Sequence, residues 1–286
     1  MTTENFSKAD YEAVVKKIIT VMDALPSQKD QTAFAGCLVR LEGHDLMDFR
    51  REVKKNRRGR IRPDGKKIAG GSDGCVNFTE GDNMGLPQCL AKAGIETIYG
   101  EFCDKVSLAD FIVIAAEAVT ARLAVDYDAN DTFKKGTLAS KFRDQLKVGR
   151  TTLKECPSNV GMMPNPENGC NDLQNIFIDH IFNTRGCNKS CKWGLTAAIS
   201  GAHTIGSAKL KNSGYEGHWS DPENSAIFNN NYFHALLGHG WGPNRNINDN
   251  PDKNNWKRID IQKPDEPFEM MLNTDMCLAY QFNKLH

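Results

Sequence analysis

The stretch that most constrains the fold is the run of small and apolar residues from Leu195 to Gly206, which carries a single histidine, His203. The pattern predicts a packed helix closed by Gly206, because glycine is favoured just past a helix end. An imidazole on such a helix can be offered to a metal held against its face. The alternative is a core histidine with an internal hydrogen-bond partner, and the segment by itself favours that alternative.

Two other segments carry polar groups that suit the same kind of site. Arg40 and His44 lie four residues apart in a helical pattern, so they share one helix face. Asp275 places a carboxylate in the otherwise apolar run 272–278. Taken singly, the first pair is typical of a solvated helix face, and Asp275 of a carboxylate in solvent.

In this order and spacing, the three segments resemble the plant, fungal and bacterial haem peroxidase superfamily. Residues 200–206 resemble its proximal-ligand motif, and residues 40–45 its distal motif. The resemblance extends from about residue 30 to the C-terminus. It implies an all-α, two-lobed helical fold in one domain, 1–286, with haem b between a distal lobe (about 1–150) and a proximal lobe (about 151–286).

The resemblance also implies a role for each polar residue. His203 would ligate the haem iron, and Asp275 would accept a hydrogen bond from its other ring nitrogen. His44 would take a proton from hydrogen peroxide and return it to the departing oxygen, while Arg40 stabilises the charge that develops. Asn83 would hydrogen-bond His44 and set its tautomer; otherwise it is a turn residue. A ferryl intermediate would then oxidise a one-electron donor.

Trp219 lies in the segment 213–219, which resembles the intracellular branch of the superfamily that includes cytochrome c peroxidase and ascorbate peroxidase. In that branch a tryptophan packs under the haem beside the proximal histidine, whereas the secreted branches usually carry phenylalanine. The resemblance predicts that Trp219 takes part in electron transfer. As an alternative, it is a core aromatic residue.

Two positions on the distal segment depart from the family pattern. The family places an aromatic residue directly before the distal histidine, and here that residue is Gly43. We expect a wider or wetter distal pocket that alters peroxide specificity or admits substrate. Glu42 is also unusual so close to Arg40 and His44.

The resemblance to the secreted branches predicts a calcium site at Asp45, Gly71 and Asp73, with an ordinary glycine turn as the alternative. Cys75 stands where the family has a serine ligand, and a thiol is a poor ligand for calcium. We therefore expect weak calcium binding. A second cation is expected at Thr204 and Asp221.

The electron donor does not follow from the sequence. An ascorbate site would need an arginine nine residues after the proximal histidine, where this chain has Asn212. A manganese site would need two glutamates on the distal helix, where it has Ala33 and Cys37. The run 50–67 has ten basic residues and predicts a solvated loop or a docking surface for an anionic substrate or acidic partner.

Composition limits the classes of function. The net charge is zero, and the basic run lacks aromatic residues, so we expect no nucleic-acid partner. The longest apolar run, 111–116, is too short for a membrane span, and no signal peptide is seen, which predicts a cytoplasmic protein. The resemblance to the haem peroxidases implies a role in oxidative stress response. Nine cysteines leave at least one unpaired in a monomer. Disulfides are expected first at Cys187–Cys191 and Cys156–Cys170, with reduced thiols as the alternative.

Apolar periodicity predicts several helices besides the one before His203. They cover residues 7–25, 30–49, 86–98, 107–124, 172–184 and 268–282, with a loop-rich segment at 125–170. The leading hypothesis is a hydrogen-peroxide-dependent haem peroxidase. The alternatives are a haem-binding or peroxide-sensing protein with weak turnover, and a cysteine-rich structural protein without haem.

Overall fold

The computed structural model describes residues 6–51, 54–55, 61–62, 67–69, 71–156, 162–184, 186–260 and 269–280. Helices dominate these residues, and the strands are short, which confirms the all-α class. No helix within the described ranges has the length and apolar character that a bilayer span requires.

The first core forms around a central helix, α5, that is buried on nearly all sides. Helices α1 (Lys8–Asp23), α2 (Gln28–Met47) and α5 (Leu108–Arg122) pack together there. Their starts follow from local capping. The hydroxyls of Ser7, Ser27 and Ser107 accept hydrogen bonds from backbone N–H groups three residues later, at 3.1–3.2 Å. The apolar stripe of α1 and one face of α2 then cover α5, and this packing holds the helix that carries His44.

Shorter helices complete the N-terminal half. Helices α3 (Leu86–Ala93) and α4 (Ile95–Gly100) replace the single helix predicted over 86–98. Gly94 separates them because it adopts a left-handed conformation with φ of 64°. Helix α6 (Leu138–Gln145) lies within the segment that the sequence predicted to be loop-rich, and Thr137 caps its start.

The C-terminal half contains the segment with His203. Helix α7 (Cys170–Leu173) continues as a π-helix, Gln174–Ile181. Helix α8 (Lys189–Ser200) starts where the Asn188 side chain accepts the N–H of Cys191 at 2.9 Å. His203 lies in a 3₁₀ turn, Gly201–Thr204, directly after α8 rather than within a continuous helix. Helices α9 (Leu210–Ser213) and α10 (Asn231–Gly238) follow.

The end of the chain differs from the predicted helix over 268–282. Strands β5 (Trp241–Arg245), β6 (Asn254–Arg258) and β7 (Met270–Met271) form an antiparallel sheet in that order, and only α11 (Asn273–Met276) is helical. The prediction was wrong because Met270 and Met271 pair with β6, which extends the backbone before Asp275. Residues 268, 281 and 282 of the predicted helix lie outside the described chain.

The basic run forms short antiparallel pairs between α2 and Gly71. Strand β1 (Arg50–Arg51) pairs with β4 (Lys67–Ala69), and β2 (Lys54–Lys55) pairs with β3 (Ile61–Arg62). The rest of the run, and with it the expected docking surface, lies outside the described residues.

Four disulfides connect eight of the nine cysteines. They are Cys37–Cys89, Cys75–Cys156, Cys170–Cys277 and Cys187–Cys191, which leaves Cys103 free. The predicted Cys187–Cys191 pair is therefore present. Cys156 and Cys170 do not pair with each other, because their partners come from distant segments that the sequence does not show to be close.

Candidate active site

The distal group of polar residues lies on α2 and the loop before α3. Arg40 Nε donates to His44 Nε2 at 3.3 Å, as expected for residues four apart on one helix face. The guanidinium also donates to the carbonyl oxygens of Asp82 and Met84, both at 2.9 Å. These carbonyls accept hydrogen bonds from the half-buried guanidinium and hold it beside His44 without neutralising its charge.

Asn83 fixes the second ring nitrogen of His44. Its Oδ1 lies 2.8 Å from His44 Nδ1, and its amide nitrogen donates to the carbonyl of Asn77 at 2.8 Å. Because the amide nitrogen is committed to Asn77, Oδ1 faces His44 and requires a proton on Nδ1. Nε2 is then the basic nitrogen, on the side of Arg40.

The distal group keeps His44 neutral. Burial and the positive charge of Arg40 lower the pKa of His44 to about 4, against a smaller opposing effect of the Asn83 hydrogen bond. Burial likewise lowers the pKa of Arg40, although the guanidinium remains charged. At neutral pH the pair therefore combines an imidazole that can accept a proton with a fixed positive charge.

The proximal group is centred on Asp275, of which 2% is exposed. Asp275 Oδ1 lies 2.8 Å from His203 Nδ1, and because a carboxylate only accepts, Nδ1 carries the proton. Trp219 Nε1, Tyr232 Oη and the N–H of Leu272 also donate to this carboxylate, each at 2.8 Å. Four donors on two oxygens stabilise a buried anion.

The pKa of Asp275 reflects this balance. Burial is the largest influence and by itself would raise the pKa, but the charge and hydrogen bond of His203, together with the bonds from Leu272 and Tyr232, outweigh it. The net result is a lowered pKa, so Asp275 is ionised at neutral pH. The anion gives His203 a strong acceptor behind its ring.

Aromatic rings fix the plane of His203. The ring of Trp219 stacks on it with a centroid distance of 4.3 Å and an interplanar angle of 14°. The ring of Tyr232 meets it edge-on at 5.8 Å. Together with the hydrogen bond from Nδ1 to Asp275, these two rings restrict both the tilt and the rotation of the imidazole.

The remaining nitrogen of His203, Nε2, has no hydrogen bond from any described residue, and 38% of the side chain is exposed. Its neighbours Gly201 and Thr204 are buried. An imidazole nitrogen without a described partner, on a ring whose other nitrogen donates to an anionic acceptor, is the ligand that haem iron takes from a protein. The residues present therefore fit a haem ligated at this nitrogen.

The helix carrying His44 approaches the segment that follows His203. A Cβ added to Gly36 of α2 would lie 3.9 Å from the Cα of Gly206, and Gly206 itself needs glycine because its φ is 82°. The two backbones thus pass close to each other near the middle of α2.

Comparison with known proteins identifies the family. The profile of the family described as "Peroxidase" matches residues 12–283. The chain belongs to the peroxidase family.

Several relatives of this peroxidase carry informative names. A mitochondrial cytochrome c peroxidase of Candida glabrata is 33% identical over 141 residues, 49% of this chain and 33% of that protein. A "Putative heme-binding peroxidase" of Candida albicans is 24% identical over 283 residues, 96% of this chain and 79% of the relative. The peroxisomal L-ascorbate peroxidase 5 of Arabidopsis thaliana is 26% identical over 239 residues, 80% of this chain and 66% of the relative. This peroxidase accordingly belongs to the haem peroxidase superfamily, and it spans about a third of the length of the cytochrome c peroxidase that it matches.

The expected calcium ligands of this peroxidase lie together but face N–H groups. The carboxylate of Asp45 accepts the N–H of Gly74 at 2.9 Å and of Cys75 at 3.1 Å, and Asp73 Oδ1 also accepts from Cys75 at 3.2 Å. Gly71 donates its N–H to Asp48 at 2.7 Å. The sulfur of Cys75 forms a disulfide with Cys156, so Cys75 offers no thiol to a calcium ion. The expectation of weak calcium binding therefore rests on a disulfide sulfur, and not on a soft thiol, at the position of the serine ligand. The calcium site stays a prediction.

The expected second cation pair lies at the two ends of an amide network. Thr204 Oγ1 donates to Asn229 Oδ1 at 3.2 Å, and Asn229 donates to Asn224 at 2.6 Å. The carboxylate of Asp221 accepts from the backbone and side chain of Asn224 at 2.8–3.0 Å. Within the described ranges, no group of three or more His, Cys, Asp or Glu residues could hold a metal ion. This site also stays a prediction.

Sequence reasoning missed two features of the site. Tyr232 is fully buried and donates to Asp275, yet nothing in the sequence around it distinguishes it from any core tyrosine. The backbone carbonyls of Asp82 and Met84 that bind Arg40 leave no signature in side-chain identity. Only the glycine turn around Gly85, with φ of 87°, hints that the loop is bent toward a neighbour.

Proposed function

We propose that this peroxidase binds haem b through Nε2 of His203, reduces hydrogen peroxide and oxidises a one-electron donor. The observation that carries the proposal is the Asp275–His203 hydrogen bond. It holds an anion at Nδ1, and the other ring nitrogen, Nε2, has no hydrogen bond from any described residue. When bound, haem would supply the transfer of two electrons to peroxide. The overall reaction takes one peroxide, two protons and two electrons from the donor, and gives two molecules of water.

His44 is the proposed proton carrier on the distal side. Its unprotonated Nε2 would accept the first proton of hydrogen peroxide and return it to the oxygen that leaves. Support comes from its lowered pKa and from the Asn83 contact, which orients Nε2 as the basic nitrogen. Arg40 would stabilise the negative charge on the breaking O–O bond, because two backbone carbonyls hold its positively charged guanidinium beside His44.

Trp219 is proposed to take part in electron transfer between the site and the donor. Its indole stacks on His203 and donates its N–H to Asp275. The anion would stabilise a positive charge on the indole, which makes that ring easier to oxidise. A cation bound at Thr204 and Asp221 would oppose this effect and leave Trp219 with a packing role only.

Turnover separates the proposal from its alternative, a haem-binding or peroxide-sensing protein. We would load the chain with haem b, add hydrogen peroxide and a chromogenic one-electron donor, and count donor molecules oxidised per haem. The proposal predicts sustained turnover. Oxidation that stops near two donor molecules per haem, while haem remains bound, would favour the sensor.

The donor's identity, calcium binding, a role in oxidative stress and the cytoplasmic location remain proposals. Asn212 and Cys37 stand at positions where ascorbate or manganese sites would need arginine or glutamate, and Cys37 is disulfide-bonded. The four disulfides weigh against the cytoplasm, because disulfides persist mainly in oxidising compartments.

A further inference from the structure

The Cys187–Cys191 disulfide lies nearer to solvent than the other three disulfides do. It joins an exposed cysteine, Cys191, to a half-buried one, Cys187. Each of the other three pairs either contains a buried cysteine or joins two half-buried ones. A thiol in solution therefore has the readiest access to the Cys187–Cys191 pair, and access is one condition for exchange with a disulfide.

The folded chain also supports this disulfide least. Cys187 and Cys191 are only 4 residues apart in the sequence, whereas separations of 52, 81 and 107 residues are spanned by the other pairs. A disulfide stabilises a fold more when it closes a longer loop. Because this coupling works in both directions, the fold contributes little to keeping a short-loop disulfide closed. Reduction should therefore cost less free energy at this pair than at the other three.

The surroundings of Cys191 favour a negatively charged sulfur. Cys191 lies in the first turn of α8, between Lys189 and Lys192, and residues 183–200 contain no Asp or Glu. The positive end of a helix and neighbouring lysines both stabilise a thiolate. A stabilised thiolate leaves a disulfide faster, so the position of Cys191 should speed the breaking of its bond to Cys187.

The start of α8 is held by contacts other than this disulfide. The side chain of Asn188 caps the helix by accepting the N–H of Cys191 at 2.9 Å. Lys192 Nζ donates to Asn183 Oδ1 at 2.8 Å, and Trp193 packs against a hydrophobic cluster. These contacts remain when the S–S bond breaks, so the pair can open without unfolding the helix that precedes His203.

We infer that Cys187 and Cys191 form a thiol–disulfide exchange site, which small-molecule thiols open while the other three disulfides stay closed. The inference goes beyond the proposed peroxidase function and does not depend on it. A first thiolate attacks the sulfur of Cys187, the S–S bond breaks, and Cys191 leaves as a thiolate. A second thiolate attacks the mixed disulfide on Cys187 and releases that cysteine.

The net reaction balances in atoms and electrons. Two thiols lose one electron each and form one disulfide between them. The Cys187–Cys191 disulfide gains both electrons and the two protons, and it becomes two cysteine thiols.

The main test follows the reduction of all four disulfides in the folded wild type by reduced glutathione. Samples taken over time are alkylated with iodoacetamide, and peptide mass spectrometry gives the labelled fraction of each cysteine. We expect Cys187 and Cys191 to become labelled at least about tenfold faster than the other disulfide-bonded cysteines. The free Cys103 is labelled without reductant and serves as the internal standard. Circular dichroism should stay unchanged while only this pair is open.

A second measurement uses Cys187→Ser, which leaves Cys191 as a free thiol. With oxidised glutathione, Cys191 should form a mixed disulfide faster than the half-buried Cys103 of the same chain. Slower reaction of Cys191 than of Cys103 would overturn the role assigned to its surroundings. The wild-type experiment does not depend on the folding of this variant.

The outcomes in the wild type decide the inference. Equal reduction rates at all four disulfides, or earlier opening of another disulfide, would overturn it. Loss of helical signal when only Cys187 and Cys191 are labelled would also overturn it, because α8 would then depend on the bond. Neither experiment requires haem, so either result leaves the proposal for His203 to be judged by haem binding and turnover.

Discussion

The distal and proximal groups hold a histidine in opposite ways. His44 shares its environment with a positive charge and a neutral amide, so burial and Arg40 keep it uncharged. His203 shares its environment with an anion that receives four hydrogen bonds and with two aromatic rings. Under the proposed function, this contrast would suit the distal imidazole to exchange a proton and the proximal imidazole to serve as a fixed ligand.

Replacing His44 by leucine tests the distal side of the comparison between the two histidines. We expect the reaction with hydrogen peroxide to slow about 10²–10⁴-fold, because general acid–base help is lost, while haem binding survives. Stopped-flow absorbance measures the rate, and His234→Leu on the exposed side of α10 is the matched control. Equal rates in the wild type and His44→Leu would remove His44 from the mechanism.

Replacing Asp275 by asparagine tests the proximal side of the comparison between the two histidines. The variant keeps the shape but loses the anion behind His203, and we expect haem affinity to fall about 10–100-fold, as it does when partners of metal ligands are lost. Haem titration followed by absorbance gives the affinity. Asp131→Asn, at an exposed position, controls for loss of charge. Unchanged haem affinity and an unchanged ferric spectrum would show that Asp275 does not act on the ligand.

The pH dependence of the wild type sharpens the distal half of the comparison. Protonated His44 cannot accept a proton, so the peroxide reaction is lost as the pH falls through the folded-state pKa of about 4. At pH 5 about nine-tenths of His44 would still be neutral, against roughly 3% for an imidazole with an ordinary pKa of 6.5. Rates at pH 5, 6 and 7 measure this, with circular dichroism confirming the fold at each pH. A loss centred near pH 6.5 would contradict the lowered pKa.

Replacing Trp219 by phenylalanine tests the finest part of the proximal group. We expect the electron paramagnetic resonance signal that follows one equivalent of hydrogen peroxide to change, because the indole bonded to Asp275 would carry the oxidising equivalent. Trp193→Phe, in the neighbouring apolar cluster, is the control. A signal identical in wild type and Trp219→Phe would place the radical elsewhere.

Local sequence patterns predicted the structural features that depend on a single segment of the chain. The stripes of α1 and α2 and the apolar character of α5 followed from periodicity, and the pairing of Arg40 with His44 from helix spacing. The proximity of Asp275 and Trp219 to His203 was predicted only through the resemblance, because 72 and 16 residues separate them from His203 in the chain. Cys75–Cys156 and Cys170–Cys277, the strand at Met270 and the contact of Tyr232 depend on tertiary packing, which no local pattern encodes. The ferryl intermediate and the donor stay predictions.

The spectrum of the haem-loaded chain with and without His203 tests the central claim most directly. We predict that the wild type binds one haem per chain. His203→Ala should lose most of that haem or change its spin state, and added imidazole should restore the ferric spectrum by filling the place of the side chain. His234→Ala should match the wild type. A His203→Ala protein with the affinity and ferric spectrum of the wild type, indifferent to imidazole, would contradict His203 as the ligand and, with it, the arrangement of the site proposed for this peroxidase.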